Sequence, residues 1–305
     1  MVAFKKYLSL IKFSHTIFAM PFALIGFFLA VRAISVQINL NDTIGWGNKY
    51  AHLFRQNYLL KFFLVVLCMV FARSAAMAFN RYLDRHFDAK NPRTAVREIP
   101  TGVITAQNAL MFTLISCILF IVSTWFINTL CFYLSPVALF IVLFYSYTKR
   151  FTALCHLVLG VGLSLAPIGA YLAVTGEFAM LPILFSFTVL FWVSGFDIIY
   201  ALQDEEFDRS QNLHSIPAAV GKKSALLISR TLHFFSALCV ISAGLYGDFG
   251  ILYWIGVAIF VGMLLFQQSI VKPNDLRRVN LAFMTANGIA SVVFSIFVLL
   301  DLFIN

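Results

Sequence analysis

The amino-acid sequence predicts an all-α, polytopic membrane protein with about nine transmembrane helices. Of its 305 residues, 61% are hydrophobic and only 11% are charged, and the mean hydropathy is +0.89. A soluble domain is about half apolar and about a quarter charged. Apolar stretches long enough to cross a bilayer recur along the chain, and most charged residues lie between them. These observations exclude a water-soluble globule, a disordered chain and a nucleic-acid-binding protein, despite the formal net charge of +9.

The individual spans follow from their length, because about 20 mostly apolar residues are needed to cross the hydrocarbon core. Windows of that length give nine spans, at residues 14–33, 59–80, 104–127, 129–147, 153–175, 180–200, 224–246, 249–270 and 279–302. Residues 34–58 form a long polar-to-mixed loop. No small-residue cleavage pattern follows the first span, which we interpret as a retained helix and not as a signal peptide. No soluble domain is large enough to fold separately, so we expect residues 1–305 to form a single membrane domain.

The basic residues predict the orientation of these spans in a cell (inner) membrane. With nine spans, one side of the membrane holds the N-terminus and the loops near residues 81–102, 149–152, 201–223 and 271–278. Seventeen Lys and Arg residues lie on that side, four lie on the other, and Arg73 is left inside the second span. By the positive-inside rule, the N-terminus and these four loops face the cytoplasm.

Eight of the thirteen acidic residues fall in two short segments on that cytoplasmic side, at residues 84–98 and 197–208. Successive helical residues turn by about 100°, so steps of four or seven residues return to nearly the same face. One set of polar residues then shares a face at the end of the second span: Asn80, Asp84 and Asp88. Another shares a face at the end of the sixth span: Asp197, Asp204 and Asp208.

These acidic helix ends predict a magnesium site. Carboxylates one turn apart repel each other unless cations are present. Mg²⁺ prefers one or two carboxylates per ion together with phosphate oxygens and water. We therefore expect Mg²⁺ to bind a diphosphate through these ligands: Asp84, Asp88, Asp204 and Asp208. The alternative is a set of solvated charges that anchor helix ends, although Asn80 and Asp197 lie deeper in the apolar spans.

Basic residues lie next to both acidic segments. Arg93 and Arg97 are four residues apart in a loop that Pro and Gly residues delimit, and Lys149-Arg150 ends the fourth span. Guanidinium and ammonium groups give charge-assisted hydrogen bonds to phosphate oxygens. These residues are therefore candidates for binding the diphosphate. For Lys149 and Arg150 the alternative is a plain cytoplasmic anchor.

These motifs resemble the signatures of the UbiA superfamily of intramembrane aromatic prenyltransferases. The two main motifs are Asn80-x-x-x-Asp84-x-x-x-Asp88 and Asp204-x-x-x-Asp208, the second preceded by Asp197-x-x-Tyr200-Ala201. The resemblance extends to further positions: Arg73, Arg93-Thr94, Arg97, Tyr145-x-x-x-Lys149-Arg150 and Ser215. With nine helices in the expected order, it covers nearly the whole chain.

The resemblance implies nine helices around a central cavity, with a polar mouth toward the cytoplasm and a side opening to the lipid bilayer. It implies Mg²⁺-dependent transfer of a polyprenyl group from polyprenyl diphosphate to a hydroxylated aromatic acid in ubiquinone or menaquinone biosynthesis. The implied catalytic residues are Asn80, Asp84, Asp88, Asp197, Tyr200, Asp204 and Asp208. The implied diphosphate-binding residues are Arg93, Arg97, Tyr145 and Lys149. Asp197 is a candidate for accepting the proton that the aromatic ring loses.

Three departures from the family pattern leave the acceptor open between 4-hydroxybenzoate and a dihydroxynaphthoate. The chain has Arg97-Glu98-Ile99 where 4-hydroxybenzoate enzymes commonly have Arg-Pro-Leu. It has Lys12 to Thr16 in place of an Arg followed by Asp-Lys-Pro, and His214 in place of a Lys. The Asn-Pro-Arg-Thr and Ser-His-Thr-Ile-Phe-Ala variants resemble a subgroup associated with menaquinone made by the futalosine route.

Four residues are candidates for binding the acceptor: Lys12, His15, Arg73 and His214. Arg73 is a charge inside a membrane span, which is a functional candidate by default. Its alternative role is pairing with a neighbouring carboxylate. For each of the two histidines, the alternative is a hydrogen-bonded polar residue of the core.

Two other classes of membrane protein also carry acidic residues. A cation-coupled secondary transporter has carboxylates near the bilayer midplane. The acids of this chain instead lie at cytoplasmic helix ends, in pairs four residues apart beside Arg and Lys, which suits a phosphate better than a translocated ion. A CDP-alcohol phosphotransferase has a denser Asp-Gly-x-x-Ala-Arg pattern, which this chain lacks.

Overall fold

The computed structural model describes the backbone of residues 2–11, 18–41 and 57–304, and the side chains of residues 6–11, 18–36 and 57–304. Within these ranges the chain is almost entirely helical, and the β-type pairing present there is one isolated bridge between Lys272 and Asp275. The predicted all-α class is confirmed.

Eleven α-helices follow one another in the described residues: α1 (Val2–Leu10), α2 (Met20–Asn41), α3 (Tyr58–Lys90), α4 (Ala106–Ile127), α5 (Thr129–Thr148), α6 (Cys155–Thr175), α7 (Met180–Ala201), α8 (Glu205–Ser210), α9 (Ile216–Tyr246), α10 (Ile251–Ile270) and α11 (Asn287–Ile304). A 3₁₀ turn at Leu202–Asp204 joins α7 to α8, and a π-helical segment at Leu281–Ala286 leads into α11. Eight helical segments of this part of the chain are long and apolar enough to cross a membrane, and α2 contributes a shorter apolar helix at Met20–Val36.

Most predicted spans coincide with these helices. The prediction of a loop at residues 34–58 is wrong for residues 34–41, which are helical. Helix α2 continues to Asn41 because the sequence there contains no Gly or Pro to end it. Residues 42–56 lie outside the described residues, as does the start of the first predicted span. Helix α3 likewise continues through its charged residues to Lys90, ahead of Pro92. Asn80, Asp84 and Asp88 therefore lie on one continuous helix, as predicted.

The second acidic set departs from the prediction of one continuous helix face. Asp197 lies on α7, Asp204 ends the 3₁₀ turn, and Asp208 lies on α8. A 3₁₀ turn is tighter than an α-helical turn and changes the direction of the chain. Leu202 stays buried within this turn at 1% exposure. Asp204 therefore reaches this region from the 3₁₀ turn, and Asp208 reaches it from a separate short helix.

The membrane helices form a closed ring. Each of α2 to α6 packs on the helix that follows it. Helix α7 packs on α9, α9 on α10 and α10 on α11, and α11 packs back on α2. Small residues allow close approach between helices. A Cβ atom added at Gly26 of α2 would lie 2.0 Å from the Pro167 carbonyl oxygen of α6, and one added at Gly160 of α6 would lie 2.3 Å from Ser194 Oγ of α7.

Aromatic side chains fill one half of the ring. Phe22, Trp192, Phe260 and Phe294 are fully buried, and their ring centroids lie 5.2 to 6.3 Å apart. Aromatic pairs at such distances stabilise a core beyond the burial of their surface. This cluster packs α2, α7, α10 and α11 together around one aromatic core. The cavities lie in the other half, where α3, α5, α6 and α7 face one another.

Candidate active site

A polar cavity of about 560 Å³ lies between the C-terminal ends of α3, α5 and α7, with α8 and the N-terminal ends of α6 and α9 completing its wall. All of the catalytic and diphosphate-binding residues predicted from the sequence line it: Asn80, Asp84, Asp88, Arg93, Arg97, Tyr145, Lys149, Asp197, Tyr200, Asp204 and Asp208. Ser215, which caps α9 by accepting a hydrogen bond from the Ala218 backbone N–H, lines it as well. The helix ring thus brings both acidic motifs to one chamber.

Asp84 is held by three donors. Its side chain is buried, at 2% exposure. Lys149 Nζ lies 2.8 Å from Oδ2, and Arg150 Nη2 lies 2.9 Å from Oδ1. Asn80 Nδ2 donates a hydrogen bond to Oδ2 at 3.2 Å. Two cations from the end of α5 therefore compensate one buried carboxylate of α3, which satisfies the requirement that buried charges be paired.

Asp88 has one partnered and one unpartnered oxygen. Arg97 Nη1 lies 2.7 Å from Oδ1. Oδ2 is buried and has no hydrogen-bond partner among the described residues. An unsatisfied buried acceptor is costly and carboxylate oxygens are the ligands that Mg²⁺ prefers, so this oxygen suits a bound divalent cation.

Asp204 connects the loop after α3 to the second motif. Arg93 donates to both of its oxygens, through Nε to Oδ1 at 2.9 Å and through Nη2 to Oδ2. Asn91 Nδ2 donates to Oδ1 at 3.1 Å, and Arg93 Nη1 donates to Tyr200 Oη at 2.8 Å. Burial alone would lower the pKa of Arg93, but the hydrogen bonds and charge of Asp204, together with Tyr200, outweigh it and raise that pKa. Arg93 therefore remains a cation.

Two further guanidinium groups line the cavity without a hydrogen-bond or ion-pair partner among the described residues, namely those of Arg73 and Arg81. Arg81 is 4% exposed, and the Nε atoms of both residues are buried. The alternative in which Arg73 pairs with a carboxylate is thus not found in this part of the chain. An unpaired buried charge is unfavourable, so these two cations indicate a site for an anion.

An apolar cavity of about 360 Å³ adjoins the polar one between α3, α4, α5 and α6. The two cavities share their lining at Arg73, Met77, Tyr145, Leu159 and Leu163. The rest of the apolar cavity is lined mostly by aliphatic residues of these four helices. A ligand with a charged head and a long apolar chain fits this arrangement.

The predicted acceptor-binding residues are not all found at the cavity. Arg73 is there, but the His214 side chain is exposed and does not line it. The backbone N–H of His214 instead donates to the Lys149 carbonyl oxygen at 2.6 Å, which holds the end of α5. Lys12 and His15 lie outside the described residues.

The four predicted Mg²⁺ ligands lie on the same cavity, but no group of three or more His, Cys, Asp or Glu side chains close enough to hold a metal ion is found in the described ranges. The reason is that Asp84, Asp88 and Asp204 each face an Arg or Lys partner of their own. The donor set nevertheless fits a hard cation, because it consists of carboxylate oxygens together with the Asn80 amide.

Sequence reasoning missed three residues of this site. The sequence pattern marks Arg81 only as a basic residue of the cytoplasmic side, and Asn91 only as part of a loop. The signal that identifies His156 is an ionisable residue inside an apolar span, which is a functional candidate by default. Its side chain lines the cavity and pairs with Asp197.

Comparison with known proteins gives consistent findings. A model of the UbiA prenyltransferase family matches residues 43–289. A 4-hydroxybenzoate octaprenyltransferase from Tolumonas auensis is 30% identical over 224 residues, which is 73% of this chain and 78% of that protein. The apo structure of a UbiA homologue from Aeropyrum pernix superposes with a TM-score of 0.78 at 29% identity, covering 94% of this chain and 98% of that one. A UbiA homologue from Archaeoglobus fulgidus bound to DMAPP and Mg²⁺ gives a TM-score of 0.72 at 21% identity, covering 98% and 100%.

Proposed function

The chain belongs to the UbiA prenyltransferase family, and from this premise we propose that it transfers a polyprenyl group from polyprenyl diphosphate to a hydroxylated aromatic acid in quinone biosynthesis, with Mg²⁺ as cofactor. One observation carries the proposal: a chamber lined by two acidic motifs and their basic partners adjoins an apolar cavity and shares part of its wall. A polyprenyl diphosphate has the same division into a charged head and an apolar chain.

The donor would lie across the junction of the two cavities. Its diphosphate would contact four residues of the polar cavity: Arg93, Arg97, Tyr145 and Lys149. Tyr145 lines both cavities, so it lies where the diphosphate would meet the prenyl chain. The chain itself would occupy the apolar cavity, where water is excluded and an allylic cation is protected from hydrolysis.

The metal would be held by four carboxylates: Asp84, Asp88, Asp204 and Asp208. When bound, Mg²⁺ neutralises the charge of the diphosphate and makes it a better leaving group. Asn80 would orient Asp84, to which it donates a hydrogen bond. Support comes from the unpartnered Oδ2 of Asp88 and from the Archaeoglobus neighbour, which binds DMAPP and Mg²⁺.

The acceptor would be an anionic aromatic ring. The relatives described above are named for 4-hydroxybenzoate, and the departures near Arg97 and at His214 keep a dihydroxynaphthoate, hence menaquinone, as the second acceptor to test. The carboxylate of either compound would compensate the unpaired charge of Arg73 or Arg81. We place the polar cavity on the cytoplasmic side, with residues 1–305 acting as one membrane domain, because of the distribution of Lys and Arg.

The test is incubation of purified protein with one polyprenyl diphosphate and a panel of 4-hydroxybenzoate and naphthoate acceptors, followed by mass spectrometry. We expect one acceptor to gain the mass of the prenyl group in the presence of Mg²⁺ and none to gain it after EDTA treatment. Turnover that resists EDTA would contradict the metal role. Absence of product from every acceptor, with substrate-dependent uptake into reconstituted liposomes, would favour a cation-coupled transporter instead.

A further inference from the structure

His156 joins three helices at the wall of the polar cavity. It is the second residue of α6 and is 3% exposed. Its Nδ1 atom lies 2.7 Å from Asp197 Oδ2 on α7. The backbone N–H of Ile216, the first residue of α9, donates to its Nε2 atom at 3.3 Å. The imidazole ring is therefore fixed from both sides.

These contacts fix the orientation of the ring. The Ile216 N–H points at Nε2, which leaves Nδ1 to face Asp197. The Ile216 N–H is one of the orphan donors at the start of α9, so this bond also satisfies a helix terminus. His156 therefore presents an Nδ1–H donor to Asp197.

Asp197 differs from three other carboxylates of the cavity. Asp84, Asp88 and Asp204 are each paired with an Arg or a Lys. Within the described part of the chain, Asp197 has no such cation, and its one hydrogen bond is to His156. Its side chain is 23% exposed at the cavity, compared with 3% for Asp84. A carboxylate oxygen, Oδ1, therefore remains available to a ligand.

We propose that His156 is a positioning residue which holds Asp197 so that Asp197 accepts the proton of the aromatic ring. This inference rests on the proposed function. As the bond between the prenyl carbon and the diphosphate oxygen breaks, the ring carbon bonds to the prenyl group. The ring C–H bond then breaks, its electron pair restores aromaticity, and the proton passes to Asp197 Oδ1. The Nδ1–H of His156 keeps Oδ2 occupied, so that Oδ1 is the basic oxygen at the cavity.

The close approach of α6 and α7 does not depend on this pair alone. The two helices also meet through Gly160 and Ser194, four residues further along α6. The histidine and aspartate lie at the cavity wall and not in the aromatic core. A general base has to lie within hydrogen-bond reach of the proton that it removes, and such a group contributes about 10²–10⁴-fold to the rate.

The test compares initial rates with acceptors that carry hydrogen or deuterium at the prenylated carbon. For the wild-type protein we expect an isotope effect near unity, because proton loss is fast. For His156→Ala we expect kcat to fall by roughly tenfold or more, little change in KM for either substrate, and a clear primary isotope effect.

His156→Asn restores an N–H donor and should recover part of the rate. The buried His233, which does not line the cavity, gives the control His233→Asn, whose isotope effect should match that of the wild type.

A double-mutant comparison isolates the connection through Asp197. If His156 acts only through this carboxylate, adding His156→Ala to Asp197→Asn should lower the residual rate no further. An isotope effect that stays at unity in His156→Ala would overturn the inference, as would fully additive losses in the double variant. If the wild type makes no product from any acceptor, the proposed function fails, and this inference fails with it. That result differs from one in which the wild type is active and His156→Ala shows no isotope effect, which overturns only the role of His156.

Discussion

Individual carboxylates of the cavity differ in how many hydrogen bonds and ion pairs their oxygen atoms receive from the protein. Asp84 accepts from three side chains, whereas Asp88 accepts from Arg97 on one oxygen and from none of the described residues on the other. Asp88 Oδ2 is therefore the oxygen at which loss of charge should affect metal binding most directly.

We expect Asp88→Asn to raise the Mg²⁺ concentration needed for half-maximal activity by at least about tenfold, because an amide is a poorer ligand than a carboxylate. The measurement is the prenylation rate against Mg²⁺ concentration. Glu206→Gln is the matched control, since Glu206 is exposed and does not line the cavity. An unchanged Mg²⁺ requirement in Asp88→Asn would remove Asp88 from the metal site.

Arg81 should matter more for activity than for stability. It is buried and has no ion pair or hydrogen bond among the described residues, so Arg81→Met should change the melting temperature in detergent little, because the cost of burying the charge offsets its attraction to Asp88 and Glu98. The same change should raise KM for the anionic acceptor. Arg85→Met is the control, because Arg85 donates to the Tyr82 carbonyl oxygen and does not line the cavity. A lower melting temperature with unchanged KM would show that Arg81 serves the fold alone.

At this scale the sequence located the acidic residues well but not their partners. Asn80, Asp84 and Asp88 follow from spacing on one helix. The bond from Asn91 to Asp204 joins residues that lie 113 positions apart, and the bond from His156 to Asp197 spans 41. No periodicity encodes such pairs, since they depend on how separate helices pack.

The N-terminal end of α10 is capped by a side chain from another helix. Asp301 of α11 is 0% exposed, and its two oxygens accept the backbone N–H groups of Gly250 at 2.9 Å and Tyr253 at 3.2 Å. Gly250 is the residue that precedes α10, so Asp301 satisfies the orphan donors of that helix and places a negative charge at its N-terminus.

We expect Asp301→Asn to destabilise the protein by about 1–3 kcal/mol, because an amide nitrogen would face a backbone donor and leave it unsatisfied. The measurement is thermal unfolding in detergent. Asp248→Asn, at an exposed position on the same side of α10, should have little effect. Equal melting temperatures for the two variants would show that the Asp301 cap is dispensable. The prenylation rate per folded molecule should be unchanged in both.

Hydropathy predicted the helices but not their irregularities. The predicted spans agree with α4 to α7 within a few residues. The 3₁₀ turn at Leu202–Asp204 and the kink of α9 at Gly221, where φ is +77°, were not predicted. Both lie in polar segments, where neighbouring helices decide the local backbone and the apolar pattern carries no information.

In the whole molecule, one half of the helix ring is filled by the aromatic core and the other half contains the two cavities. This division affects where a prenyl diphosphate donor can bind. The resemblance to UbiA enzymes is confirmed by the family match, and multiple apolar helices make the protein a multi-pass membrane protein. The position of the apolar cavity between α3, α4, α5 and α6 could not be predicted, because all of these helices are similarly apolar in sequence.

Filling this cavity should select against long donors. Gly169 lines the apolar cavity, and a Cβ atom added there meets no atom within 4 Å, so Gly169→Phe starts from open space beside the cavity. We expect kcat/KM for a long-chain polyprenyl diphosphate to fall much more than that for dimethylallyl diphosphate. Gly262→Phe, which is equally unhindered and lines neither cavity, is the control. An equal loss for both donors would place the prenyl chain elsewhere.

The length of α3 also sets the depth at which chemistry takes place. Its 33 residues span about 50 Å, whereas the hydrocarbon core of a bilayer is about 30 Å thick. Asp84 and Asp88 lie in the last two turns of this helix, and its first ~20 residues alone are long enough to cross that layer. We therefore expect the reacting groups of the proposed reaction to meet at the level of the lipid headgroups. A donor dissolved in the bilayer and an acceptor dissolved in water can both reach that level without either one leaving its own solvent.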